Sequence, residues 1–314
     1  MYSDIKSRSV HERHPPYERK GLFMAIIKTE ALTYVYSQGT PFEKTAVDSV
    51  DLEIEGGEPI GIIGHTGSGK STLIQHFNGL IRPTSGKIYI DGQDIWDKSV
   101  NIRDIRFKVG LVFQYPEYQI FEETVYKDIS FGPKNMGLSD DDIDKRVRET
   151  AKMLEITDDM LERSPFELSG GQKRRVAIAG VMAMDPKVLI LDEPAAGLDP
   201  RGRDNVLGLI KEYQQEKKTT VLLVSHSMED VAKFASKILV MNKSKLFCYD
   251  DTAAVFRRAD EIEKMGLSVP QITRVFGRLR SMGYDLPKDI YTVEQAKKAV
   301  LDIIRSKKDG EAHA

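Results

Sequence analysis

Short apolar runs, each closed by polar or glycine-rich residues, set the rhythm of this chain. Residues 59–63, 109–113, 188–191 and 221–225 are strand-sized, and 188–191 (VLIL) is continuously apolar. An uninterrupted β-branched and leucine run suits a parallel strand buried on both faces. An earlier stretch, residues 25–36, also reads as a strand, with Tyr34 and Tyr36 alternating on it. Between these runs the spacing changes to that of helices. Residues 138–156 open with Ser139 as a cap and the acids Asp140–Asp142 in the first turn, and Ile143, Val147, Ala151 and Leu154 then fall on one stripe. That stripe is expected in the core, and the three acids serve the helix start rather than a metal. Residues 173–184 carry a second helical stripe. After Asp251 come three amphipathic segments, 253–264, 268–283 and 293–306, broken by Pro270 and by the turn Tyr284–Pro287. Thr292 to Gln295 has the form of a capping box, and residues 307–314 read as a frayed end. Strands alternating with helices predict an α/β fold.

Composition narrows the class. The 314 residues are 40% hydrophobic and 30% charged, an ordinary globular balance long enough for about two domains. No apolar run approaches the roughly 18–20 residues of a membrane span, so a channel built from this chain alone is excluded. A net charge of −2 speaks against a strongly basic nucleic-acid binder. The single cysteine, Cys248, excludes an intramolecular disulfide framework and an all-cysteine metal cage. Residues 1–23 are polar, contain Pro15-Pro16 and have no period; they are expected to be a disordered leader, with Met24 an alternative start. His11 and His14 on that leader have no further ligands around them and are taken as solvated.

Candidate chemistry begins where the run 59–63 ends. Gly64-His65-Thr66-Gly67-Ser68-Gly69-Lys70-Ser71, followed by Thr72, matches G-x-x-x-x-G-K-[ST] between a strand and a helix. Glycines let the backbone curl and turn consecutive N–H groups toward an anion, and the helix start adds positive potential. Lys70 would reach the β- and γ-phosphates, and the Ser71 hydroxyl would ligate Mg²⁺. The run 188–191 ends in Asp192-Glu193-Pro194. Acids at the carboxyl end of such a strand lie beside the phosphate loop. Asp192 would hold Mg²⁺, directly or through water, and Glu193, on the opposite side, would polarise an attacking water. Upstream, Leu168-Ser169-Gly170-Gly171-Gln172 opens the helix at 173–184, with Ser169 as its cap. This is a second anion site at a helix start. Two such sites exceed the need of one nucleotide, and a two-fold head-to-tail pair resolves the excess.

With these motifs in place the sequence resembles the ATP-binding-cassette ATPases over residues 25–250. The resemblance implies a core of a mixed sheet flanked by helices with a helical signature subdomain, ATP and Mg²⁺ as ligands, and further site residues. Tyr36 falls where the family stacks an aromatic on adenine, although Tyr34 and Tyr36 alternate and one of them can be core. Gln114 is similar to the glutamine that contacts Mg²⁺ and couples to a partner. Ala196-Gly197-Leu198-Asp199 resembles the loop that crosses the dimer interface, and His226 the switch histidine at the γ-phosphate. The catalytic set would be Glu193, His226 and Lys70. The segment 113–135, FQYPEYQIFEETVYKDISFGPKN, resembles the second type of ATPase subunit in energy-coupling factor transporters, which import vitamins and transition-metal ions. The resemblance implies a peripheral protein on the cytoplasmic face of the cell membrane. Its partners would be a second cassette ATPase (related or identical), a transmembrane scaffold and a substrate-specific membrane subunit, with no nucleic acid. The implied divisions are an ATPase domain at 24–252, containing a helical subdomain at about 115–184, and a helical tail at 253–314. The tail would hold two ATPases together, or else cap its own cassette. A different transporter ATPase, or a soluble cassette ATPase acting on DNA or ribosomes, is the alternative reading.

Overall fold

The computed structural model describes residues 25–311, with side chains through Arg305; the leader and the alternative start at Met24 lie outside the described residues. Among the described residues ten strands build two sheets. In chain order they are β1 (Ile27–Tyr36), β2 (Lys44–Ile54), β3 (Pro59–Gly64), β4 (Ser85–Ile90), β5 (Gln93–Asp94), β6 (Val109–Val112), β7 (Val188–Asp192), β8 (Thr220–Val224), β9 (Lys237–Asn242) and β10 (Lys245–Asp251). The larger sheet has the order β10-β9-β3-β8-β7-β6 and is parallel except for β10, which pairs antiparallel with β9. The smaller sheet, β2-β1-β4-β5, is antiparallel.

The continuous apolar runs occupy the middle of the parallel sheet because both of its faces are covered. Along β7, Val188 and Ile190 belong to one core and Leu189 and Leu191 to another; Leu222 and Val224 of β8 alternate in the same way with Val221 and Leu223. The first core is closed by the antiparallel sheet (Ile27, Val50, Ile54, Ile88) and by the helix Lys70–Phe77, which buries Leu73, Ile74 and Phe77. The second is closed by the helix Pro200–Lys217, which buries Val206, Leu209, Ile210 and Tyr213, and by helices that lie between β6 and β7 in the chain.

Those helices include Val125–Asn135, Asp140–Met153, Asp158–Glu162 and Gly170–Met182. Ser139 caps the second of them, accepting a hydrogen bond from the Asp142 amide at 3.2 Å. Ile143, Val147, Ala151 and Leu154 are all buried, as their spacing predicts.

The tail departs from its expected helices at two points. The segment 253–264 is two helices, Thr252–Arg257 and Ala259–Lys264, broken at Arg258. Val255, Phe256 and Ile262 are buried on either side of the break, so the apolar spacing gave no sign of it. The last helix, Val293–Glu311, continues beyond residue 307, where the sequence reads as fraying. Its start is capped as the sequence predicts: Thr292 Oγ1 accepts from the Gln295 amide at 3.2 Å, and Gln295 Oε1 accepts from the Thr292 amide at 3.0 Å. The first two tail helices pack with Ile63, Val231, Ile238 and Val240, directly behind the end of β3. Beyond them a small separate core gathers Phe276, Ile290 and Ala296.

The strand order decides where chemistry can sit. The carboxyl ends of β3, β8, β7 and β6 are adjacent, and residues 64–71, His226, Asp192-Glu193 and Gln114 follow them. In an open parallel sheet that edge is the crevice where ligands bind.

Candidate active site

The phosphate loop is shaped by positions that cannot carry a side chain. Gly69 sits at φ +101°, and a Cβ there would come within 2.1 Å of the Ala46 carbonyl oxygen. A close approach to backbone and a left-handed torsion together admit only glycine. Gly69→Ala is therefore expected to distort the loop and abolish measurable nucleotide binding in a calorimetric titration; unaltered affinity would contradict this. Lys70 opens the helix and folds back over the loop, its ammonium donating to the carbonyls of Gly64 at 2.6 Å and His65 at 3.0 Å. Burial pushes its pKa down, and the Glu193 and Asp192 carboxylates pull it back up. The Ser68 hydroxyl is buried with no hydrogen-bond partner.

The acid pair stands opposite. Asp192 ends β7 with its pKa raised by burial, an effect opposed by the Ser71 hydroxyl and the Lys70 ammonium. Glu193 adopts φ +52°, a left-handed torsion that costs a non-glycine residue roughly 1–2 kcal/mol. The torsion lets its amide donate to the Val224 carbonyl at 3.0 Å while the side chain turns into the crevice. There burial, reinforced by the Asp192 charge, raises its pKa to about 7. Its Oε1 has no hydrogen-bond partner, and His226 Nε2 lies 3.4 Å away. Burial first, then the nearby Lys70 charge, keeps the His226 pKa below its ordinary value.

One cavity brings together Thr66, Gly67, Gly69, Lys70, Ser71, Thr72, Gln114, Asp192, Glu193 and His226. The other expected site residues lie outside its lining. Tyr36 is 39% exposed beside the loop helix, its phenol 3.1 Å from Thr72 Oγ1. Tyr34 is the partly buried one, set edge-on against Tyr36 and His76. Gly64 ends β3, and His65 turns away so that its Nε2 meets the Met265 carbonyl oxygen in the tail. Asp199 caps the helix Pro200–Lys217 by accepting from the Gly202 amide at 2.7 Å. Ser169 and Gln172 form a reciprocal capping box, while a Cβ on Gly170 or Gly171 would meet only open space. That helix start is offered outward.

The residues present fit a magnesium nucleotide. Lys70, the orphaned Ser68 hydroxyl and the helix start suit phosphate oxygens. Mg²⁺ takes hard oxygen ligands and commonly only one or two carboxylates, with substrate phosphates supplying others. Ser71 and Asp192 are such a set, and among the described residues no group of three or more His, Cys, Asp or Glu is placed to hold a metal by itself.

Two residues absent from the sequence expectations join the site to its surroundings. Arg174, on the helix Gly170–Met182, is 3% exposed and forms a bidentate ion pair with Glu117, just beyond Gln114. Its remaining nitrogen donates to the carbonyls of Ala196 at 2.6 Å and Pro194 at 3.3 Å. In the sequence it stands inside the run Lys173-Arg174-Arg175, which looks like a solvated face.

The sequence profile of the ABC transporter family matches residues 47–196. The energy-coupling factor transporter ATP-binding protein EcfA2 of Clostridium acetobutylicum is 60% identical over 283 residues, covering 90% of this chain and 99% of that protein. The protein of the same name in Clostridium perfringens is 54% identical, over 89% of this chain and 99% of its own. Among solved structures, cbiO1 of Clostridium perfringens, part of the ABC transporter complex cbiONQ, superposes with a TM-score of 0.69 and 39% identity. That match covers 82% of this chain and 99% of cbiO1. A dimeric post-hydrolysis state of the ATP-binding cassette MJ0796, bound to ADP and phosphate, gives a TM-score of 0.64 at 30% identity, over 72% and 98% of the two chains.

Proposed function

Because the chain belongs to the ABC transporter family, among the ATP-binding proteins of energy-coupling factor transporters, we propose that two cassettes close on two ATP and thereby drive a membrane scaffold docked beside Gln114. The chain is an ATPase that uses Mg²⁺ and works with a second cassette and with membrane components of an importer. Vitamins or transition-metal ions are the cargo, recognised by a separate membrane subunit. No helix among the described residues is long and apolar enough to cross a membrane. In this reading the membrane partners carry the cargo across. The protein is placed on the cytoplasmic face of the membrane by its docked partners.

The observation that carries this reading is the convergence of Lys70, Ser71, Gln114, Asp192, Glu193 and His226 on one cavity whose buried Glu193 Oε1 has no hydrogen-bond partner. In the proposed chemistry Ser71, Gln114 and Asp192 hold Mg²⁺, which would offset the charge of the phosphates. Glu193 accepts the proton of the attacking water. Lys70 and His226 stabilise charge on the transferred phosphoryl group. Tyr36 offers its exposed ring to adenine. The outward Ser169–Gln172 helix start faces the nucleotide of the second cassette, and Asp199 crosses between the two. In this reading the ATPase domain spans 24–252, with its helical subdomain near 115–184. The tail beyond it joins the two cassettes, in keeping with its exposed Val275, Met282, Val300 and Leu301.

The scaffold's landing site is the aromatic face after Gln114. Tyr118 is 84% exposed and Phe121 60%, and the Phe121 ring stands edge-on to Phe131 at 4.9 Å. Replacing Tyr118 and Phe121 together by Ser is expected to cut recovery of the scaffold about tenfold or more, since aromatic anchors carry ~2 kcal/mol each, while ATP binding is retained; equal recovery would remove this face from the interface. The function itself is tested by tagging the chain in its own cell, solubilising the membranes gently and identifying what co-purifies. A second cassette ATPase with a multi-span protein is the expected result. One scaffold with no second ATPase would point to a homodimer, and ribosomes or DNA factors would overturn the transporter reading.

A further inference from the structure

We propose that Arg174 is a positioning residue that transmits nucleotide occupancy from the acidic loop after β7 to the docking segment after Gln114. One side chain ties three elements together. Its Nε and Nη2 donate to Glu117 Oε2 and Oε1 at 3.0 and 2.6 Å, gripping the docking segment. Its Nη1 donates to the Ala196 and Pro194 carbonyls, gripping the loop that begins at Glu193. Its own backbone lies two residues past Gln172, on the helix that starts at Ser169. The planar guanidinium makes this possible, because its donors are fixed in one fork and cannot be redistributed when a partner moves.

Burial makes the tie stiff. The Arg174 side chain is 4% exposed and that of Glu117 15%. Parting the pair would leave a charge uncompensated inside the protein, so the two loops shift together rather than separately. Both loops also start at a left-handed non-glycine residue, Tyr115 at φ +55° and Glu193 at φ +52°. Each torsion adjoins a residue lining the cavity, Gln114 in one case and Glu193 itself in the other. A Cβ on Gly197 would lie 3.9 Å from Tyr115 Cε1, so the two loops also run close to each other there. A change of the acidic loop around a nucleotide thus has a rigid route to the segment 115–124. By reciprocity, a partner seated on that segment changes the acidic loop.

The linkage is a property of this chain; only its use by a scaffold rests on the docking reading above. It is therefore tested on the full-length protein alone, by amide hydrogen exchange with and without Mg²⁺ and a non-hydrolysable ATP analogue. In the wild type the analogue is expected to slow exchange in the segment 115–124 severalfold. In Arg174→Met the analogue should still bind within about threefold of wild type and still protect the phosphate loop, with the response at 115–124 lost. Arg174→Lys should not restore it, because a single ammonium cannot hold a carboxylate and two carbonyls in one fork. Should Arg174→Met fail to fold, Glu117→Gln decides: it keeps the acceptor and the shape, removes the charge, and is expected to reduce the response. A response of wild-type size in these variants would overturn the proposal, as would the absence of any response in the wild type. Failure to recover a membrane scaffold would overturn the docking reading and leave this result standing.

Discussion

Glu193→Gln is expected to slow ATP hydrolysis by ~10²-fold or more and to leave the protein as a nucleotide-trapped dimer. The amide keeps the size of the side chain and its place in the crevice but cannot take a proton. In the proposed chemistry the phosphate and metal contacts are made by other residues, Lys70, Ser71 and Asp192, so ATP is expected still to enter and closure still to occur. The step that reopens the pair is what fails. Single-turnover hydrolysis, together with gel filtration in Mg²⁺ and ATP, reads both effects. Full turnover in this variant would remove Glu193 from the role of base. The same group is expected to set the acidic limb of the wild-type rate. Its carboxyl is raised to about 7, so protonation below that region withdraws the base and the rate falls as pH drops through it. In the Gln variant that limb should flatten.

Lys70→Ala is expected to fail earlier. The ammonium is held by two carbonyls of its own loop at 2.6 and 3.0 Å, and it is the cation facing Asp192 and Glu193. In the proposed binding mode phosphate oxygens take the place of those carbonyls, a charge-assisted contact worth about 1.5–3 kcal/mol. Its loss should weaken ATP roughly 10- to 100-fold and abolish turnover. The two variants thus separate by their binding curves: Lys70→Ala loses affinity, and Glu193→Gln keeps it. Unaltered hydrolysis in Lys70→Ala would end the assignment.

What could be read before the fold was known follows from how local each signal is. The strand β7 was legible because both of its faces are buried, which makes its four apolar residues contiguous in the chain. The phosphate loop was legible because its glycines, lysine and serine act over eight consecutive positions. The Ser139 and Thr292 caps were legible for the same reason, since each bond spans three residues. The tie between Arg174 and Glu117 was not, for its partners are 57 positions apart and a buried arginine is written like a solvated one. Nor did alternation settle Tyr34 against Tyr36; the antiparallel sheet and His76 had to be in place before one ring was covered. The helix break at Arg258 was silent because the apolar spacing runs through it unchanged.

The tail turn that rests on the phosphate loop bears on how this protein can be dissected. His65 meets the carbonyl oxygen of Met265, and a Cβ added to the next residue, Gly266, would press within 3.2 Å of the imidazole. Cutting the chain after β10 is the obvious way to ask whether the last sixty-odd residues bring two copies together. That cut would also strip the backing from His65, and a lowered affinity for ATP would then masquerade as a defect in pairing. Surface changes at Val300 and Leu301, far along the final helix, would interrogate assembly while the wedge at Met265 stays seated.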